Sequence, residues 1–213
     1  MPGSLSRMKG QVKKHLGAHS YKEDDVYIER EELNAYPRAE IMLMRPETAQ
    51  MLREATVLDS VARANLPDFT NITHVFIPVN DHQDTGTEGG SHWSLVLVSL
   101  IDGVCFHYDS GRGSPNTMSA QRTVHRLGQT LEKTLRFINM NDYPKQDNGS
   151  DCGVFVCLAM RHLLFKRLLR ADSSEKISMS MRDQDINAAA GRKVLLELIH
   201  ERRSEAKEIM RRS

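Results

Sequence analysis

The sequence contains no long apolar run and no excess of charge of either sign. None of its apolar stretches reaches the roughly 18 residues that a membrane-spanning helix needs. The 29 basic and 28 acidic residues leave a formal net charge of +1, so no strong electrostatic field attracts the chain to nucleic acid or anionic lipid. We therefore predict a protein that binds neither a membrane nor nucleic acid.

Cysteine is also scarce. The three cysteines, Cys105, Cys152 and Cys157, cannot all pair with one another in disulfides. The first twenty residues are mildly basic and lack the apolar centre of a secretory signal. These observations favour reduced thiols and a location in the cytosol or the nucleus.

A chain of 213 residues is long enough for one domain with a substantial core. We predict a flexible tail over residues 1–20 and a single domain over residues 21–213. Hydrophobic patterning predicts helices over 46–55 and 115–135 and from near Asp151 and Ala188, and strands over 74–79, 92–101, 104–109 and 136–140. Helices mixed with consecutive strands in this order indicate an α+β fold.

Cys152 stands where polar turn residues, QDNGSD, give way to an apolar run, VFVCLAM. A thiolate at the start of a helix is stabilised by unpaired N–H groups and by the helix dipole. Cys105 lies within a predicted strand and Cys157 within a helix predicted to be buried, so both are interpreted as small apolar residues. Position alone favours Cys152 as the reactive one of the three cysteines, but it leaves a nucleophile and a buried structural cysteine as equal alternatives.

A nucleophilic cysteine needs a histidine base, and that base needs an orienting group. His92 lies between a glycine-rich loop and a buried strand, and Asp109 ends the returning strand. A two-residue turn at 102–103 would pair Val96 with Asp109 and leave His92 about 13 Å away along the strand. Contact then requires either a bulge or a turn centred elsewhere, and the sequence leaves both open.

The remaining polar candidates give weaker signals. Gln146 lies across a polar turn from Cys152, and its amide could reach an oxyanion, although a glutamine there is equally a solvated turn residue. His74, Cys105 and His107 lack the spacing of a zinc site. We therefore predict no metal and no cofactor.

Three motifs, GGSHWSL, FHYDS and QDNGSDCGVF, resemble the histidine, aspartate and cysteine motifs of the Ulp/sentrin-specific cysteine proteases and occur in the same order. These enzymes process ubiquitin-like modifiers such as SUMO and remove them from conjugates. The segment VFIPVND is most similar to the deneddylase branch, which acts on the Nedd-type modifier. The resemblance implies a papain-like α+β superfold, with a mixed, mainly antiparallel sheet packed against helices and the nucleophile at a helix N-terminus.

The resemblance also implies roles for five residues. His92 would be the general base and then the general acid, Asp109 would orient its ring, and Cys152 would form a thioester with the C-terminal glycine of the modifier. Gln146 would donate to the oxyanion hole. Trp93, the single tryptophan, would cover the Gly-Gly tail of the modifier in a slot too narrow for larger side chains.

The function implied is a thiol-dependent isopeptidase or processing protease that cuts after the Gly-Gly of a Nedd-type, or else a SUMO-type, modifier. We expect a monomer whose partners are that modifier and its conjugates. Family members usually also carry a WL-x-D-type motif whose tryptophan forms the other wall of the slot, and residues 1–45 contain none, so we interpret the N-terminal part of the family domain as missing.

This departure motivates an alternative function, a catalytically impaired protein that binds the modifier through a broken Gly-Gly slot. A third alternative is an acyltransferase that uses the same Cys–His chemistry. It ranks last because the sequence shows no sign of an acyl-CoA pocket.

Overall fold

The computed structural model describes residues 40–54, 66–82, 89–169 and 177–212. The predicted flexible tail, residues 1–20, lies outside the described residues, so it stays a prediction.

A five-stranded mixed sheet with the order β1-β2-β3-β4-β5 lies at the centre of the described residues. Its central pairings, β2–β3 and β3–β4, are antiparallel, and its outer pairings, β1–β2 and β4–β5, are parallel. Each parallel pair is joined by a crossover that contains a helix, as parallel neighbours require. The strands are Ile41–Leu43, His74–Asn80, Trp93–Ser99, Val104–Tyr108 and Arg136–Asn139.

Each of the four predicted helices is present in the described residues. Helix α2 ends earlier than predicted because Glu132 adopts a left-handed conformation with φ 54° and its N–H donates to Gly128 O. A π-helical segment, Leu163–Leu168, continues α3. No helix in the described ranges is both long and apolar enough to cross a membrane. The helices are α1 (Pro46–Glu54), α2 (Thr117–Leu131), α3 (Cys152–His162) and α4 (Ala188–Arg212).

Strand β3 is buried on both faces. Helices α1 and α2 cover one face of the sheet, and α3 packs against β3 on the other. This double covering explains why an antiparallel strand carries a nearly continuous apolar run, which is more typical of parallel strands. The core on the first face includes Val75, Ile77, Val79, Val96, Val98, Cys105, Ala49, Leu52, Ala120, Val124 and Leu127.

Pro78 lies in β2, which is inside the sheet, although proline is usually confined to edge strands and strand ends. The β1 pairing stops at Phe76, whose carbonyl accepts a hydrogen bond from Met44 N at 2.9 Å. Residues two apart in a strand direct their backbone groups to the same side, so the nitrogen of Pro78 points beyond the end of β1. The missing N–H therefore costs no ladder hydrogen bond.

The β3–β4 hairpin has a different register from the one predicted. Ser99 pairs with Val104, which leaves a four-residue turn, and Val96 pairs with His107 rather than with Asp109. The predicted two-residue turn and its pairing are therefore wrong. Because the turn is longer, Asp109 lies two residues closer to His92 along β3 than in the predicted register.

His107 has no exposed surface and joins three strands. Its Nδ1 lies 2.8 Å from Asn139 Oδ1 on β5, and its Nε2 lies 3.0 Å from Ser94 Oγ on β3. An amide oxygen only accepts, so Nδ1 is the donor and the serine hydroxyl donates to Nε2. Burial lowers the pKa of His107, against the opposing effects of the Asn139 hydrogen bond and the Asp109 charge.

This burial predicts a loss of stability in mild acid. The unfolded chain protonates His107 near its ordinary pKa of 6.5, whereas the native chain resists protonation until a lower pH. The free energy of unfolding should therefore fall as the pH drops below 6.5, by up to about 1.4 kcal/mol per pH unit for one proton. Denaturant titrations between pH 7.5 and pH 5.5 measure this slope.

The pKa values of His74 and His162 are lowered as well, so the wild-type slope contains their contributions. The variant His107→Gln cannot titrate at this position and should show a shallower slope than the wild type. Equal slopes in the two proteins would mean that His107 takes up its proton in the native state.

Candidate active site

His92 and Asp109 are in direct contact at one end of the β3–β4 hairpin. His92 Nε2 lies 2.6 Å from Asp109 Oδ1, and both residues are buried. The sequence left a bulge and a displaced turn as alternatives for this contact. The displaced turn is the one that occurs.

The carboxyl of Asp109 is held in its ionised form. Burial alone would raise the pKa of Asp109, but hydrogen bonds from His92, from Asn116 N and from Gly111 N outweigh it and hold the pKa below its ordinary value. The two backbone donors lie 2.9 Å from Oδ2 and 2.8 Å from Oδ1. Because an ionised carboxylate only accepts, Nε2 of His92 carries a proton, and Nδ1 of the neutral ring is the basic nitrogen.

Asn116 was not identified from the sequence, although it supports both members of this pair. Its backbone N–H donates to Asp109, and its Nδ2 donates to Val79 O at 3.1 Å and to His92 O at 3.2 Å. An asparagine just before a helix is a typical N-cap, which could have marked the position. Its side chain makes no cap hydrogen bond and instead joins the ends of β2 and β3.

Asp81 is a second residue that the sequence did not single out. Its carboxylate accepts hydrogen bonds from Ser91 N at 2.7 Å, from Ser91 Oγ at 2.6 Å and from His92 N at 3.0 Å. Its own N–H donates to His92 O at 3.2 Å. The backbone of His92 is thus fixed on both sides, independently of its ring.

Gly90 allows this loop to lie close to β2. It has φ +94°, and a Cβ atom added there would lie 1.9 Å from Asn80 Oδ1. A side chain at this position would therefore displace the segment that leads into His92.

Cys152 is the first residue of α3 and is 6% exposed. The preceding turn is closed by Asn148 Oδ1, which accepts hydrogen bonds from Ser150 N at 2.9 Å and from Asp151 N at 3.1 Å. The first N–H groups of a helix have no intrahelical partner. The predicted position of Cys152 at the N-terminus of a helix is confirmed.

Gln146 ties the turn before Cys152 to the loop after Asp109. Its backbone N–H donates to Ser110 O at 2.9 Å, and Ser110 Oγ donates to its Oε1 at 2.6 Å. Its Nε2 donates to Asn148 O at 2.6 Å, which uses one of the two amide hydrogens. The structure therefore fixes the amide of Gln146 near the turn that leads into α3.

Trp93 follows His92 and is half-buried. It lines a cavity of about 270 Å³ between α1 and the end of β2, together with Gln50, Arg53, Pro78 and other residues. Part of the indole thus stays accessible.

The other two cysteines differ from each other. Cys105 is buried, as predicted, and burial raises the pKa of its thiol to about 12. Cys157 is exposed, so the prediction that the VFVCLAM segment is buried on every side is wrong at this position. The helix turns this residue away from the sheet, whereas Val154, Phe155 and Val156 are buried.

The described residues contain no cluster of three or more His, Cys, Asp or Glu side chains that could hold a metal ion. His74 was considered as a metal ligand and rejected on its spacing. Its Nδ1 lies 3.0 Å from Thr73 Oγ1. The absence of a metal and of a cofactor stays a prediction.

Residues 45–193 match the sequence profile of the Ulp1 protease family, C-terminal catalytic domain. Two similar curated proteins come from Schizosaccharomyces pombe. NEDD8-specific protease 2 is 34% identical over 160 residues, and NEDD8-specific protease 1 is 32% identical over 170 residues. The predicted likeness to the deneddylase branch is thereby confirmed.

These alignments cover 75% and 77% of this chain but only 38% and 40% of the two relatives. The chain therefore spans about two fifths of the length of those proteins.

A similar solved structure is the Xanthomonas campestris effector protein XopD bound to ubiquitin. It aligns with a TM-score of 0.58 at 22% identity and covers 78% of this chain and 83% of that one. At this identity the likeness concerns the fold alone, and it confirms the predicted papain-like α+β architecture. Because the profile match extends over more than half of its length, the chain belongs to the Ulp1 protease family.

Proposed function

We propose that this protein is a thiol-dependent isopeptidase or processing protease that cuts after the C-terminal Gly-Gly of a ubiquitin-like modifier. The observation that carries the proposal is the hydrogen bond of 2.6 Å between His92 and the ionised Asp109. This hydrogen bond leaves Nδ1 as the basic nitrogen of the His92 ring. Among the described residues, Cys152 is the only cysteine that begins a helix.

The proposed reaction begins with transfer of the thiol proton of Cys152 to His92 Nδ1. The thiolate attacks the carbonyl carbon of the terminal glycine of the modifier, and a C–S bond forms. The imidazolium then protonates the leaving amine as the C–N bond breaks, which leaves a thioester. Water, deprotonated by the same ring, hydrolyses the thioester and regenerates the thiol.

The tetrahedral intermediates need donors for their oxyanion. The backbone N–H of Cys152, at the start of α3, is one candidate, and the second amide hydrogen of Gln146 is the other. Support for Gln146 comes from Ser110, whose hydroxyl fixes the amide oxygen and so orients the amide nitrogen.

We propose a Nedd-type modifier as the preferred substrate and a SUMO-type modifier as the second choice. The names of the two fission-yeast relatives support this order. A monomeric state, a location in the cytosol or nucleus, and the absence of nucleic-acid and membrane binding stay predictions from the sequence.

The test uses NEDD8, SUMO and ubiquitin that each carry a C-terminal electrophile. We expect a covalent adduct with NEDD8 that forms faster than with SUMO or ubiquitin and that is absent from Cys152→Ser. The matched control is Cys157→Ser, which removes an exposed thiol from the same helix and should react like the wild type. Tight binding of NEDD8 without an adduct would instead support the modifier-binding alternative.

Trp93→Ala should chiefly weaken capture of the Gly-Gly tail. Loss of a large aromatic contact should raise KM for a NEDD8 substrate by about 10- to 30-fold, while kcat changes little because the ring takes no part in proton transfer. Steady-state kinetics separate the two constants, and Trp93→Phe serves as the control that keeps an aromatic surface. An unchanged KM in Trp93→Ala would contradict the proposed role of the indole.

A further inference from the structure

Arg192, near the start of α4, reaches back to the residues that immediately precede Cys152. Its guanidinium contacts the carboxylate of Asp151 and donates to Ser150 O at 3.1 Å. The two contacts join residues that are 41 and 42 positions apart in the chain. A side chain from the C-terminal helix thus binds both the charge and the backbone at the entrance to α3.

The position of Arg192 is set by the crossing of α4 over α3. Gly191 is buried, and a Cβ atom added there would lie 2.7 Å from Leu158 Cδ1 and 3.1 Å from Val154 Cγ1. The start of α4 is fixed by Asn187, whose Oδ1 accepts a hydrogen bond from Ala190 N at 2.9 Å. Close packing at Gly191 therefore brings the next residue, Arg192, to the turn before α3.

Asp151 needs such a partner because of where its charge lies. The Asp151 side chain is 14% exposed and adjoins Cys152 in the chain. Hydrogen bonds from Arg192 and then from Asn148 hold the pKa of Asp151 below its ordinary value, so its carboxylate is negative at neutral pH. An uncompensated negative charge beside a thiolate disfavours the thiolate.

We propose that Arg192 is a positioning residue for the thiol: it holds and cancels the charge of Asp151, so that the helix N-terminus acts on Cys152 without an opposing charge. The inference rests on the proposed role of Cys152 as the nucleophile. It adds a residue of α4 to a site whose other candidate residues lie in the chain segment from His92 to Cys152.

Other charged groups at this end of the fold stay the same in the variants that test the proposal. They are the His92–Asp109 pair, Lys145, whose Nζ donates to Asp109 O at 2.7 Å, and Asp147 in the turn before α3. A difference between the variants therefore reports on Arg192 and Asp151.

The experiment measures the rate of alkylation of Cys152 by iodoacetamide as a function of pH, in a Cys157→Ser background that removes the exposed thiol. Arg192→Gln should raise the pH midpoint of the rate by about 0.5–1 unit, the effect of one uncompensated charge at short range. Asp151→Asn introduced into Arg192→Gln should return the midpoint to the value of the background protein. Arg192→Lys, which keeps the charge, should leave it within a few tenths of a unit.

Lys193→Gln is the matched control, because it removes a positive charge from the next residue of α4, where the side chain is 61% exposed. Its midpoint should not move. An Arg192→Gln midpoint equal to that of Lys193→Gln, or a shift that Asp151→Asn does not reverse, would overturn the inference. Alkylation needs no modifier, so this outcome is distinct from a failure to form an adduct with NEDD8, which would overturn the proposed function.

Discussion

Replacement of His92 by alanine is expected to lower kcat/KM by about 10⁴-fold or more while the protein stays folded. The ring is proposed to remove the thiol proton, protonate the leaving amine and activate water, so one substitution removes every proton transfer in the cycle. The measurement is release of a fluorescent amine from the C-terminus of NEDD8. The electrophilic NEDD8 probe should likewise react slowly with this variant.

The structure gives the reason why folding should survive. The N–H and C=O of His92 are bound by Asp81 and Asn116 and do not depend on the ring. Asp109 keeps its two backbone donors after the substitution. We expect a loss of about 1–2 kcal/mol in the free energy of unfolding, as for one lost side-chain hydrogen bond.

The matched control is His125→Ala, which removes an exposed histidine from α2 and should leave both activity and stability unchanged. A fall in Tm of about 10 °C or more for His92→Ala would correspond to about 2.5–5 kcal/mol in a chain of this size, which is more than one lost side-chain hydrogen bond explains. Such a result would identify His92 as a structural residue.

Replacement of Asp109 by asparagine is expected to lower kcat/KM by about 10²- to 10⁴-fold, in line with the loss seen when an orienting carboxylate becomes an amide. An asparagine has a single acceptor oxygen, whereas the two oxygens of Asp109 accept from His92, Gly111 and Asn116. If the amide nitrogen faces His92, the ring proton moves to Nδ1, and the base required for the thiol is lost.

The other amide orientation is also unfavourable. If the oxygen faces His92, the amide NH₂ opposes the backbone N–H of Asn116, and a buried hydrogen bond is replaced by a repulsive contact. Both orientations therefore lower activity, the first through the wrong tautomer and the second through displacement of α2. Each orientation also sets the amide NH₂ against one backbone donor, Gly111 N in the first and Asn116 N in the second, so we expect Tm to fall in both cases, as thermal unfolding measures.

Asp102→Asn is the control for this substitution, since Asp102 is an exposed turn residue in the same hairpin that accepts a hydrogen bond from Ser99 Oγ at 2.5 Å. It should retain the activity of the wild type. Activity of Asp109→Asn within about threefold of the wild type would mean that the carboxylate does not orient the base, since a tautomer effect is far larger.

The sequence by itself determined the class of fold and the start of α3, and it supplied the candidate residues of the site. Alternation of apolar and polar residues depends on which face of an element meets the core, and turn chemistry depends on neighbours in the chain, so both can be predicted locally. The change from QDNGSD to VFVC marked Cys152 as the first residue of a helix for these reasons. The family motifs then connected Cys152 with His92 and Asp109.

Only the tertiary structure decided how His92 and Asp109 meet. The turn that joins β3 to β4 is longer than the sequence predicted, and this difference converts a separation of about 13 Å into a hydrogen bond of 2.6 Å. A shift of two residues keeps every side chain on its own face of the sheet, so hydrophobic patterning cannot distinguish the two registers.

The contacts that Asn116 and Arg192 make were equally inaccessible from the sequence. Asn116 binds His92 O across 24 residues, and Arg192 binds Asp151 across 41. Contacts over such separations form only when packed helices bring distant segments together, and no local pattern encodes them. The sequence therefore specified the chemical groups of the site, while the packing of α2 and α4 on the sheet and on α3 decided which neighbours hold them in place.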